Sequence, residues 1–252
     1  MKVTAIIDVR EKNFMRNKNR IIFLIKKHKY VKLIFKLVLS SCVKPFSLFK
    51  IYQLLKRQKI FLEIGAGKKK GSGDWVTLDG GFFSDIHWDL RQGIPFPDNS
   101  LDKIYTSHCF EHIPFKGLEK LIRTCHKKLK KGGTLSVCVP DARLYIDSYI
   151  SGGQFIDFYD ESLVSPSTVC DTGSPIDQVN LIAYLDGQHC YMFDRVNLVN
   201  ILKKNCSPHV ELRDFEEGLD LRERDHESIY ALATKQSNST NRKSLVNIIL
   251  IG

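Results

Sequence analysis

The chain has 252 residues, 43% of them hydrophobic, which is enough to bury a core as one domain with an appendage. No run of eighteen uncharged apolar residues occurs, and Asp8, Glu11 and a series of lysines break up the start, so neither an ordinary transmembrane helix nor a secretory signal is expected. The net charge of +10 sits at one end: residues 1–60 hold 16 Lys/Arg against 2 acids and the rest 22 against 26, which disfavours a nucleic-acid-binding core.

Residues 1–20 are polar, basic and aperiodic. From Ile21 to Arg57 the chain turns apolar and basic together, with Leu24, Tyr30, Leu33, Ile34, Leu37 and Val38 at helical spacing and lysines between them. Pro45 is expected to divide two helices. Such a stretch reads either as an interfacial segment on an anionic membrane, spanning residues 21–57, or as a helix packed on the body with its lysines in solvent. The seven cysteines are scattered, with no C-x-x-C pair, and fit reduced thiols better than a disulfide framework or a zinc site. The expected location is cytoplasmic, with peripheral contact at the inner membrane face if the arm is interfacial.

The body opens on Ile60-Phe61-Leu62-Glu63-Ile64, the length of a buried strand, running into Gly65-Ala66-Gly67. A parallel strand ending in a glycine turn places bare backbone at the sheet edge where ligands bind in open α/β folds. Glu63 is an acid that a purely structural strand has little reason to carry. Lys68-Lys69-Lys70 with Gly71 and Gly73 read as a loop. Trp75–Leu78 form a second strand ended by Asp79, placed either to hold two ribose hydroxyls or simply to form a turn before Gly80-Gly81. A short strand Ile86–Leu90 carries Asp89. Lys103–Thr106 form the next strand, and Ser107 and His108 leave its C-terminal end. Residues 117–130 are amphipathic, Lys131-Gly132-Gly133 are expected to stop that helix, and Thr134–Val139 form a strand closed by Pro140-Asp141. Strands alternating with helices and loops predict an α/β, Rossmann-like, doubly wound and mostly parallel sheet.

LEIGAG, the acid of VTLDG, WDL with IPFPDNSLDKIYTSHCFEHI, and LKKGGTLSVCVPD stand in the order seen in class I S-adenosylmethionine-dependent methyltransferases. The chain resembles most the type 11-like group, often associated with bacterial polysaccharide and lipopolysaccharide synthesis. The resemblance covers residues 60–141 well and weakens beyond. It implies S-adenosyl-L-methionine as cofactor, with Glu63, Gly65 and Gly67 along its methionine part, Asp79 at the ribose, Asp89 at the adenine amino group, and Ser107 and His108 at the sulfonium end. Gly71 comes one residue late for G-x-G-x-x-G. A nicotinamide dinucleotide site is the rival, but it would want a helix directly after the glycines and an acid farther along.

Residues 151–188 carry Gly, Pro and Ser without periodicity and read as a substrate-side insertion or a plain surface excursion. The expected division is 1–57 as a basic, partly helical extension, 58–235 as the methyltransferase domain and 236–252 as a tail. The acceptor implied is a small molecule or carbohydrate. For an oxygen nucleophile the candidate bases are His108, His112 and His189, with Glu111 or Asp141 as an alternative base or orienting carboxylate. His108-Cys-Phe-Glu111-His112 matches H-E-x-x-H only in part, and no metal is expected. The competing function class is a non-catalytic cofactor-fold scaffold docking at a membrane.

Overall fold

A computed structural model describes residues 43–67, 71, 73–81, 83–153 and 172–236. The arm through residue 42, Lys68–Lys70, the centre of the expected insertion (154–171) and the tail beyond 236 lie outside the described residues. The chain divides into two compact units, Met1–Phe46 and Ser47–Gly252. Of the first, residues 43–46 are described and are helical, Pro45 among them; the other helix that Pro45 was expected to set off lies outside the described residues.

The second unit is built on a seven-stranded sheet of order β3-β2-β1-β4-β5-β7-β6. Its strands are β1 Phe61–Ile64, β2 Trp75–Asp79, β3 Ile86–His87, β4 Leu101–Ser107, β5 Leu129–Pro140, β6 Val210–Arg213 and β7 Ser228–Thr234. Strands β3, β2, β1, β4 and β5 run parallel, and β7 is antiparallel to both β5 and β6. The chain moves from β1 outward to β2 and β3, then returns to the other side of β1 to lay down β4. That reversal opens a crevice at the C-terminal ends of β1 and β4.

Among the described residues, five α-helices flank the sheet: α1 (described over residues 43–54, those from 47 onward belonging here), α2 Phe115–Lys128, α3 Ala142–Ile150, α4 Ile176–Tyr184 and α5 Arg195–Asn205. Helix α2 buries Leu118, Leu121, Ile122 and Cys125, the stripe that its period of 3.6 residues predicts. These join Leu62, Ile64, Ile104, Leu135 and Val137 of the strands and Leu198 and Leu202 of α5 in one main core. On the opposite strand positions Tyr105, Cys138 and Tyr230 form a second cluster, continued by Trp75 and Phe215.

Two boundaries differ from expectation. Helix α2 ends at Lys128 and β5 begins at Leu129, because Leu129 already has extended backbone (φ −64°, ψ 139°) and pairs with Leu101. The pairing then jumps to Lys103 with Thr134. Gly132 and Gly133 therefore form a bulge within the strand. A side chain on Gly133 would lie 2.9 Å from the Asp102 carbonyl oxygen, so only glycine fits the bulge. Strand β3 is shorter than expected, stopping at His87, because Asp89 instead caps the 3-10 turn Leu90–Gln92.

A candidate active site at the C-terminal edge

Strand β1 delivers its glycine turn to the crevice. The Gly65 amide donates to the Leu78 carbonyl at 2.9 Å, which extends the β1–β2 pairing into the turn. Gly65 and Gly67 have φ of +71° and +61°, a region that costs other residues about 1–2 kcal/mol. At Gly65 a β-carbon would also lie 2.2 Å from Cys109 Sγ, so the turn is pressed against the loop after β4. At Gly67 it would meet nothing within 4 Å among the described residues. Glu63 is buried in β1 beside Tyr105 of β4.

Asp79 ends β2, and its carboxylate accepts from the Gly67 amide at 3.1 Å and the Gly81 amide at 2.6 Å. The glycine turn and the acid, twelve residues apart, are thus one unit. Asp89 follows β3 and accepts from the Arg91 amide and guanidinium, with Arg91 Nη2 at 2.7 Å. That pair is solvent-exposed on the Arg91 side, and an exposed pair contributes little. Beside it lies a cavity of about 320 Å³, lined by Leu90, Arg91, Cys109, Ile113, Gly117 and Leu121 among others. Asp89 itself is not in the lining, but its neighbours Leu90 and Arg91 are, and an apolar slot of this size fits a planar base. The residues present therefore fit the nucleoside and amino-acid parts of the implied cofactor: open glycine backbone, an acid at its amides, and a slot beside a second acid.

The C-terminal end of β4 carries the candidate bases. Ser107 is its last residue, and His108 turns the chain at φ +46°. His108 Nε2 lies 2.9 Å from Ser228 Oγ, whose single hydrogen is given to the Arg224 carbonyl at 2.6 Å. His108 must therefore donate through Nε2, leaving its Nδ1 lone pair towards Glu111 at 3.8 Å. Burial, then the charge of Arg224 and the nearby imidazoles, holds its pKa well below the ordinary value, so the ring is neutral.

Glu111 and His112 lie in the 3-10 turn Phe110–His112. Burial pushes the Glu111 carboxyl up to about 8. His112 Nε2 is 3.7 Å from Glu111 Oε1. His189 reaches the same place because the amides of Cys190 and Tyr191 both donate to the Glu111 carbonyl, at 2.7 and 3.1 Å. The His112 and His189 rings meet edge to face at 5.0 Å. Four of the five candidate bases thus converge. Asp141 stands apart in role: its carboxylate caps α3 by accepting from the Arg143 amide at 3.0 Å. Burial raises its pKa, opposed mainly by that bond.

Sequence reasoning missed Asp85. It accepts from Lys50 at 2.7 Å, the Gly71 amide at 2.9 Å and the Thr77 amide at 3.2 Å, so it ties α1, the glycine loop and β2 together. An acid in a polar loop before a two-residue strand carries no pattern that could have singled it out. Cys109 was missed too, since only the fold brings it against Gly65.

A methyltransferase-domain family profile matches residues 47–205. Among solved structures, the chain is similar to the YcgJ protein from Bacillus subtilis (12% identity, TM-score 0.42, 76% of this chain and 98% of that one covered). It is also similar to a SAM-dependent methyltransferase from Archaeoglobus fulgidus (14%, 0.42, 79% and 94%). A third is 1,6-didemethyltoxoflavin-N1-methyltransferase from Burkholderia thailandensis with bound 1,6-didemethyltoxoflavin and S-adenosylhomocysteine (12%, 0.42, 77% and 78%). Likeness at this level assigns no residue roles. Comparison with curated proteins gave no match. The profile covers more than half of the chain and spans β1 to β5 with the glycine turn, so the chain belongs to the methyltransferase-domain family, of the class I, S-adenosylmethionine-dependent kind that its motifs resemble.

Proposed function

We propose that the protein transfers a methyl group from S-adenosyl-L-methionine to a small molecule or glycan, in the synthesis of a bacterial surface polysaccharide. The observation that carries the transfer reading is the Gly65–Gly67 turn, open at Gly67 and bridged to Asp79 at the crevice between β1 and β4. When bound, the cofactor supplies an electrophilic methyl group on its sulfonium. In this reading Gly65, Gly67 and Glu63 hold its methionine part, Asp79 its ribose and Asp89 its adenine amino group. Ser107 and His108 border the sulfonium end. The protein's task is then to align the acceptor in line with the methyl group, keep water out and accept a proton where the acceptor is a hydroxyl. The imidazoles of His108, His112 and His189 are the proton acceptors that this edge offers, and burial keeps His108 neutral.

Calorimetry with S-adenosylmethionine tests the reading on the full chain. Wild type binds, and Asp79→Ala loses at least about tenfold in affinity, since its oxygens would serve two ribose hydroxyls. Absence of binding by the wild type sinks it and leaves the scaffold alternative. The location proposed is cytoplasmic, with the arm of residues 21–57 on the inner membrane face. The exposed Leu48, Phe49 and Tyr52 of α1 and the basic charge of the arm support it.

A further inference from the structure

We propose that Glu111, His112 and His189 form a binding site for one divalent first-row cation, with donors Glu111 carboxylate, His112 Nε2 and His189 Nε2. The central residue is a buried carboxylate that has two imidazole nitrogens within 4 Å but no hydrogen bond to them. Glu111 is 2% exposed, and neither of its oxygens has a hydrogen-bond partner among the described residues. A buried carboxylate left in that state costs several kcal/mol, roughly, unless a cation or a proton compensates it.

The two histidines are set for ligation by their other nitrogens. His112 Nδ1 lies 3.1 Å from the Gln188 carbonyl, and His189 Nδ1 lies 2.7 Å from the Ile182 carbonyl. A carbonyl only accepts, so each Nδ1 carries the hydrogen and each Nε2 keeps its lone pair. Backbone carbonyls that pin one imidazole nitrogen and so present the other are the usual support of a metal-binding histidine. One oxygen of Glu111 and one nitrogen from each ring all lie within 4.8 Å of one another. Ligands at about 2.0–2.2 Å from a tetrahedral or octahedral ion are separated by roughly 3.0–3.6 Å. The 3.7 Å between His112 Nε2 and Glu111 Oε1 is already close to that, so small side-chain shifts close the set. His189 is not fastened near Glu111 by its side chain. The backbone does it, through Cys190 and Tyr191 on the Glu111 carbonyl. Two imidazoles and one carboxylate suit zinc, cobalt, manganese or ferrous iron better than magnesium or calcium.

The sequence expectation set metal aside because it paired His108 with His112 on one segment. The second imidazole comes from a segment 77 residues along the chain, past the insertion, and no local motif contains it. The role of the cation rests on the methyl-transfer reading: positions left open by three protein ligands suit an oxygen-bearing acceptor.

The test uses full-length protein stripped with chelator and titrated with cobalt(II) chloride, followed by visible d–d absorption. One ion per chain is expected, and Glu111→Gln and His189→Ala each weaken binding by at least about tenfold. His112→Ala removes an exposed ring and serves as the variant least disturbing to the fold. Cys190→Ser, which removes the exposed thiol next in sequence to His189, keeps wild-type binding. Parallel calorimetry with S-adenosylmethionine and thermal melts separate the two readings. Cofactor binding without cobalt binding overturns the cation site and spares the transferase, whereas cobalt binding without cofactor binding spares the site and removes its catalytic role. Equal cobalt affinity in wild type and in folded Glu111→Gln, His112→Ala and His189→Ala also overturns it.

Discussion

A methyl group at Gly65 would collide with Cys109 Sγ, and one at Gly67 would meet nothing within 4 Å among the described residues, although both residues have left-handed backbone. The two glycines therefore answer to different demands. Gly65→Ala is expected to lower stability by more than the roughly 1–2 kcal/mol of conformational strain, because Cys109 has no room to yield in a buried position. Gly67→Ala should cost no more than that strain, yet weaken S-adenosylmethionine binding by blocking the open backbone. Urea unfolding and calorimetry on the pair measure both; equal stability losses would count against the Cys109 contact. The G-x-G turn and Asp79 were legible in the sequence because strand ends and turn residues obey local rules. The use of each Asp79 oxygen, and the capture of Asp89 by Arg91, were not, since side-chain hydrogen bonding leaves no mark in a hydrophobic pattern.

Among the elements, α1 is joined to the ligand-side loop through one acid. Asp85 is pulled two ways: burial raises its pKa, but the Lys50 hydrogen bond, the Thr77 and Gly71 amides and the Lys50 charge bring it from 3.8 to about 2. A folded-state pKa below the unfolded one stabilises the protein above the unfolded value. That contribution, about 2 kcal/mol, is complete near neutral pH and is lost as pH falls from about 4 towards 2. Asp85→Asn is expected to lose about that much at pH 7 and to flatten the stability profile between pH 4 and 2, read from urea midpoints across the range. A variant with the wild-type slope would assign acid sensitivity to other carboxylates. The amphipathic stripe of α2 was readable residue by residue. The bulge at Gly132-Gly133 was not, because a glycine pair after a helix reads equally as a stop and as a strand irregularity; the choice was made by Leu101 pairing with Leu129.

For the molecule as a whole, alternation of apolar strands with helices and loops was enough to expect the parallel part of the sheet, since β1 to β5 all lie within residues 61–140. Long-range polar joints were beyond reach. Tyr105 on β4 donates to Asp220 at 2.9 Å across 115 residues, and Arg213 of β6 clamps the same buried carboxylate at 2.6 and 2.8 Å. The expected extension of residues 1–57 likewise passes over the fact that Ile51 and Leu54 belong to the main core. Truncation puts this to the test. Removing residues 1–46 leaves Lys50, Ile51 and Leu54 in place, so S-adenosylmethionine binding should persist, while sedimentation with anionic liposomes should fall if the arm is interfacial. Removing residues 1–56 deletes both core side chains, each worth roughly 2–5 kcal/mol on truncation to Ala, and strips Asp85 of its lysine. The combined loss is comparable to the whole stability of an ordinary domain. The longer deletion should therefore unfold or aggregate rather than yield a soluble, arm-free transferase. If it stays folded with an unchanged melting temperature and cofactor affinity, residues 47–56 are no part of the body; if the shorter deletion sediments with liposomes as the full chain does, the membrane contact lies elsewhere.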